Sequence, residues 1–167
     1  MGCLGVHFAL SKTEVDKLRS ISDDSARLEH LQGVLEEEYF SAHPELVAQS
    51  DKAWDAMHRA LSDGTMNWNG GDYPLNNVIL GGESLYEDDD YIMSLKDPKT
   101  VGDVAAALPA VTQEAFRARY FAIDPEAYGF PVTEEDFEYT WQWFQEVRTV
   151  WLRAASLGRY VLFTADQ

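Results

Sequence analysis

The sequence predicts an α+β fold: a small mixed β-sheet packed against several helices, with a long aromatic helix just before the last strand. Three observations carry this expectation. Short apolar, strand-like segments stand near both ends and in the middle of the chain. Between them lie helix-forming segments with recognisable caps, grouped unevenly. The regular strand–helix alternation of a doubly wound sheet is missing. No internal repeat, low-complexity tract or linker divides the 167 residues, so one domain over residues 1–167 is expected.

Taken in order, Leu4 to Leu10 alternates loosely and reads as the first strand. Ser11-Lys12-Thr13-Glu14 is a capping box, in which the Ser hydroxyl and Glu carboxylate satisfy exposed amides, and it predicts a short helix to about Ser20. Ser22 to Asp24 offers caps for a longer helix to about Phe40, which His43-Pro44 ends. A third helix is predicted from Ser50 to Leu61, with Gly64 beyond its end. Asn67 to Pro74 is a loop, Val78-Ile79-Leu80 a short buried strand closed by Gly81-Gly82, and Tyr91 to Leu95 a further strand. Helices follow at Val101 to Leu108, capped by Thr100, and at Gln113 to Phe121, capped by Thr112, with one more turn at Asp124-Pro125. Thr133 caps the longest helix, Glu134 to Leu157, and Tyr160 to Thr164 closes the chain. That helix carries two stripes, one of Phe137, Trp141, Phe144, Arg148, Trp151 and Ala155, the other of Tyr139, Trp143, Val147, Val150 and Ala154. Together they exceed the usual apolar arc of about 100°. Central burial is expected, with one stripe as a contact surface the alternative.

Bulk properties narrow the function by exclusion. Thirteen basic against 29 acidic residues give a net charge of −16, yet 46% hydrophobic and 13% aromatic residues mark a folding chain rather than a disordered one. Such a charge repels nucleic-acid phosphates and anionic membrane surfaces. It leaves a basic protein, or a small molecule, as the expected partner. The single cysteine, Cys3, forbids an intrachain disulfide and points to a reducing compartment. Met1-Gly2-Cys3 lacks the features of a secretion signal, and no apolar run approaches the roughly 20 residues needed to span a bilayer. A cytoplasmic location is expected.

Phosphate loops, dinucleotide fingerprints, nucleophile elbows and paired cysteines are absent from the sequence. The histidines at 7, 30, 43 and 58 give no ligand pair at helical spacing, so neither a structural metal nor a cofactor is expected. The acidic run Glu87 to Asp90 lacks the alternating ligands of a calcium loop and reads as solvated. The one candidate constellation is Asp51, Trp54, Asp55 and His58, which share a face if all four are helical. On that face Asp55 could ligate a metal beside His58, or Asp51 and Asp55 could polarise the imidazole for proton transfer. The plainer reading makes Trp54, Met57 and Leu61 a core stripe and His58 a boundary histidine. Gly81 and Gly82 leave bare backbone that a ligand could approach, or they simply make a tight turn, and Glu83 could supply a charge partner. Since sequential elements usually lie together, Asp51, Trp54, Asp55, His58, Gly81, Gly82 and Glu83 form the expected binding site.

The Asp51-Lys52-Ala53-Trp54 helix with His58 and Leu61, followed by Ile79-Leu80-Gly81-Gly82-Glu83, resembles the YfbM-like bacterial domain family, one of the families of unknown function. The likeness extends through the Val101 to Leu108 helix, a helix ending near Arg119-Tyr120, the late aromatic helix and the apolar last strand. It implies a compact α+β protein of the bacterial cytosol and carries no mechanism. Two functional expectations result. The first is a non-enzymatic binding protein, for example one that neutralises a basic partner. The alternative is an enzyme acting on a small molecule at a cleft near Asp51, His58 and Glu83.

Overall fold

The computed structural model describes residues 3–167; Met1 and Gly2, included in the N-terminal reading above, lie outside the described residues. The strands are β1 (Gly5–Leu10), β2 (Val47–Asp51), β3 (Glu83–Ser84), β4 (Tyr91–Lys96) and β5 (Tyr160–Asp166), joined in one sheet in the order β2-β1-β5-β4-β3. The α+β class is as expected, but every pairing is antiparallel, so the sheet is not mixed. The chain's two terminal strands lie side by side at its centre, with Gly5 opposite Ala165 and Leu10 opposite Tyr160.

Cross-strand partners share a face. His7, Phe163 and Ser94 therefore form one row across β1, β5 and β4, and Phe8, Leu162 and Leu95 form a row on the opposite face. Both faces are covered, and β1 and β4 are buried along their whole length. The Phe8 face receives α1 (Lys12–Ser20) and a long helical segment made of α2 (Asp24–His30), a π-helical stretch Leu31–Glu36 and α3 (Glu37–Ala42). Tyr39 of α3 meets Phe8 edge-on at 5.7 Å. The capping box of α1 forms as expected, with Glu14 and Ser11 exchanging hydrogen bonds.

The His7 face receives α4 (Trp54–Leu61), α5 (Pro98–Ala107), α6 (Gln113–Tyr120), α7 (Pro125–Tyr128) and α8 (Glu134–Ser156). Trp151 of α8 lies edge-on to His7 at 6.2 Å, and Trp54 of α4 packs on Phe163 at 5.6 Å. Asp97 caps α5, three residues before the expected Thr100, because Pro98 is well suited to a first helical position. Central burial of α8 holds for Phe137, Phe144, Val147, Val150, Trp151 and Ala154, drawn from both expected stripes, and includes Thr140, which neither contained. Trp141, Tyr139 and Trp143 flank it half-buried.

Two expected elements are corrected. Val78-Ile79-Leu80 is buried but is not a strand. It runs as an irregular strap over the His7 face, where no strand edge is available, and side chains of the sheet satisfy its carbonyls. His7 Nε2 donates to Val78 O at 2.8 Å, Ser94 Oγ to Gly81 O at 2.5 Å, and Lys96 Nζ to Ile79 O. The second correction is at residues 50 and 51, which end β2 rather than open a helix. Asp51 sits in left-handed backbone with φ 49°, and α4 starts three residues later at Trp54.

These placements force unusual protonation. Burial pushes the Lys96 amine well below its ordinary value. His7 is fully enclosed, and burial lowers its imidazole to about 3. Because a carbonyl can only accept, His7 carries its proton on Nε2 and leaves Nδ1 bare.

Two outcomes follow from the packing. Replacing Phe144 by Ala empties a fully enclosed aromatic site and is expected to cost roughly 3–5 kcal/mol, whereas Trp141→Ala, at a half-buried ring, costs less; urea melts of both variants check the order. The second concerns His7. The unfolded chain binds a proton here below about pH 6.5 while the folded chain refuses it down to about 3, so stability falls as pH drops through that window. Relative to His7→Gln, which keeps a donor for Val78 O and does not titrate, the wild type should lose about 3 kcal/mol between pH 7 and pH 4. Equal losses in the two proteins would mean that His7 is not held neutral.

Candidate functional site

The structure distributes the seven expected site residues among four environments. Trp54 and Asp55 stand at the start of α4, His58 one turn further along, and Gly81, Gly82 and Glu83 beyond the strap. Asp51 leaves the helix face entirely, for the reason given above: it belongs to β2.

His58 is a core histidine. Its Nε2 donates to Asn67 O at 2.9 Å, fixing the loop after α4, and burial lowers its pKa. Gly81 and Gly82 have φ of 87° and 69°, and a Cβ on Gly82 would stand 2.3 Å from Leu95 O. The pair thus serves a close approach of the strap to β4. The Trp68 indole donates to Gly82 O at 3.4 Å and covers this turn. Glu83 pairs at 2.6 Å with Arg19 of α1 and lines a depression with Arg19, Arg27 and Asp24. Its carboxylate and the His58 imidazole are thus engaged with different partners.

Trp54 and Asp55 do line a cavity, of about 450 Å³, together with Cys3, Lys52, Tyr128, Phe130, Asp136 and Tyr139. Three segments build it. The first turn of α4 contributes Trp54, whose indole donates to Cys3 O at 2.7 Å, and Asp55, which accepts from Arg59 Nε at 2.6 Å. The α7–α8 connection contributes Tyr128 and Phe130, with Gly129 turning the chain at φ 83° between them. Phe130 is 62% exposed, the most exposed of the large apolar side chains. The first turns of α8 contribute Asp136 and Tyr139, one helical turn apart.

Asp136 organises the wall. Its Oδ2 accepts from Tyr120 at 2.5 Å and from Tyr128 at 3.0 Å. Burial, and next the Asp136 carboxylate, raise both phenols far above their ordinary range, so they stay protonated and keep donating. The Tyr139 hydroxyl accepts from Lys52 N at 3.3 Å, and burial together with the neighbouring Asp51 carboxylate pushes its phenol up to about 12. Asp51 thus approaches the cavity rim through Tyr139. Four aromatic rings, the carboxylates of Asp55 and Asp136 and the exposed residue Lys52 line the cavity, and Arg59 pairs with Asp55, so Asp136 is the lining carboxylate without a basic partner among the described residues. Sequence reasoning missed Tyr128, Phe130 and Asp136, and named Tyr139 only within a stripe that was the alternative contact surface. One signal was available: Gly129-Phe130-Pro131 places an aromatic in a turn that cannot bury it.

Among the described residues, no group of three or more His, Cys, Asp and Glu side chains is placed to hold a metal ion. No helix among them is long and apolar enough to cross a membrane.

Fold and site together define an α+β protein with an antiparallel sheet covered on both faces and an aromatic cavity at the α4–α8 junction. The chain belongs to the family called domain of unknown function DUF1877, whose model matches residues 1–164. Among solved structures it is similar to the crystal structure of a protein of unknown function, YfbM from Escherichia coli. The TM-score is 0.67 at 17% identity, over 97% of this chain and 99% of that one. That likeness shows a shared fold. Among curated proteins, none matches.

The glycine assignment is testable by comparing two left-handed glycines. Gly64, at φ 87°, has open space where a Cβ would stand, whereas Gly82 has Leu95 O there. Gly64→Ala should cost only the backbone penalty of about 1–2 kcal/mol, and Gly82→Ala clearly more in the same denaturant melts.

Proposed function

We propose that this protein is a non-enzymatic binding protein of the cytoplasm, acting as one domain over residues 1–167 and recognising a basic protein partner. The observation that carries this reading is the cavity at the α4–α8 junction. An aromatic-lined concavity with an exposed Phe130 at its mouth is the kind of surface that anchors a partner's side chain. The net charge of −16 supports a basic partner, since it speeds encounter with opposite charge and repels like charge. The lone cysteine supports the reducing compartment.

Within the expected set, Trp54 and Asp55 are the binding residues on this reading, with Asp51 supporting Tyr139 from outside the cavity. His58, Gly81, Gly82 and Glu83 have structural work in the strap, its turn and the α1 contact. The alternative, an enzyme working between Asp51, His58 and Glu83, has less support. The His58 imidazole is engaged with Asn67 O and Glu83 with Arg19.

The test is a pull-down from native-cell lysate with wild type and Phe130→Ala in parallel, at low and high salt. Recovery of a basic protein that drops at least tenfold with Phe130→Ala, and also at high salt, is expected. Equal recovery by both proteins would remove the cavity from the interaction. Recovery of a neutral or acidic partner, insensitive to salt, would remove the charge argument.

A further inference from the structure

Asp136 and Asp55 stand in the same cavity wall but in different electrostatic states. Asp55 is already neutralised by the Arg59 guanidinium at 2.6 Å. Asp136 has no basic partner within salt-bridge distance among the described residues, only the two phenolic donors, and both fall on its Oδ2. Its Oδ1 accepts no hydrogen bond from the described residues, which leaves an acceptor site on a carboxylate without a basic partner.

An anionic ligand would meet this unneutralised carboxylate across the cavity. A neutral apolar ligand would desolvate Asp136 without giving its Oδ1 a donor, an unfavourable exchange. A cation with N–H groups satisfies both demands, and Phe130 and Tyr139 line the same cavity with aromatic rings, whose π-systems attract such a group. The protein already uses this chemistry internally: the Arg59 guanidinium lies 5.8 Å from the Tyr128 ring centre while bonded to Asp55.

We propose that the cavity seats one organic cation, the ammonium or guanidinium end of a lysine or arginine side chain, with Asp136 as its counter-ion and Phe130 and Tyr139 as its aromatic walls. This rests on the binding reading above and names the group that enters the site.

The experiment titrates three probes of one shape, benzylamine, benzyl alcohol and benzoate, into the protein, followed by shifts in the indole and amide NMR signals around Trp54 and Tyr139. Benzylamine should bind at least tenfold more tightly than benzyl alcohol, and benzoate not measurably. Asp136→Asn, which keeps an acceptor for both phenols, should lower benzylamine affinity at least tenfold, and so should Phe130→Ala, an exposed position whose replacement spares the core. Asp88→Asn, in a distant loop, should leave it unchanged. N-acetylarginine amide should displace benzylamine. Failure to displace it would assign the cavity to a free amine and overturn the side-chain source. If benzyl alcohol and benzoate bind as well as benzylamine, the cavity binds ligands but not through charge, and this inference falls while the binding reading stands. If none of the probes binds, the cavity is not a ligand site and both fall.

Discussion

The fold depends on how the sheet holds the buried strap Val78 to Gly81. A chain segment enclosed without a ladder partner has carbonyls that must find donors, because an unmet buried carbonyl costs about as much as a lost hydrogen bond. Here the donors are side chains of the sheet: His7 from β1, and Ser94 and Lys96 from β4. Their positions are set by register, since Ser94 and His7 both stand opposite Phe163 on β5. A one-residue slip of either strand would turn these donors to the opposite face. The strap therefore constrains the register of the central strands as much as they hold it. The same constraint accounts for two basic side chains enclosed without a carboxylate: burial lowers the pKa of both, and each donates to a strap carbonyl.

On the same side of the sheet, α8 links the core to the cavity. Its inner stripe, from Phe137 to Ala154, closes the core against β1, while its first turns project Asp136 and Tyr139 outward. Asp136 receives Tyr120 from α6 and Tyr128 from α7, so one carboxylate ties three helices together and also faces the cavity. The cavity is thus a by-product of helix assembly, placed where three segments meet around a polar tie rather than around apolar packing.

Much of this was legible locally. Capping residues marked the starts of α1, α6, α7 and α8, because an N-cap is a side-chain bond to a backbone amide within three residues. The antiparallel sheet and the strap were not, since Val78-Ile79-Leu80 is apolar enough to be buried but periodicity cannot say what its carbonyls will bond to. Ser50 and Asp51 imitated a helix cap, yet strand pairing of β2 with β1 claimed them and left α4 to start at Ala53-Trp54 without a side-chain cap. Of the candidate site, Trp54 and Asp55 were placed from spacing alone. Tyr128, Phe130, Asp136 and Tyr139 lie more than 70 residues further along, and only the tertiary fold brings them to α4.

The charge distribution connects this architecture to the proposed function. Basic residues are scarce, and several of them donate to main-chain oxygens. Arg27 donates to Leu18 O, Ile21 O and Leu85 O, Lys96 to Ile79 O, Arg148 to Val111 O and Arg159 to Ala9 O. Arg148 is also set over the Phe144 ring at 4.8 Å, with no carboxylate within salt-bridge distance among the described residues. Seven of the 13 basic residues pair with a carboxylate among the described residues, yet with 29 acidic residues most carboxylates have no such partner, so the acidic excess is felt outside the molecule. Exposed charges separated by more than about 10 Å are screened at ordinary salt, which limits that field to drawing a basic partner close. Selectivity then has to come from a short-range feature. The Asp136 carboxylate among the aromatic rings of the α4–α8 cavity provides one, because its charge is held in a concave apolar wall where screening is weaker and geometry decides what fits.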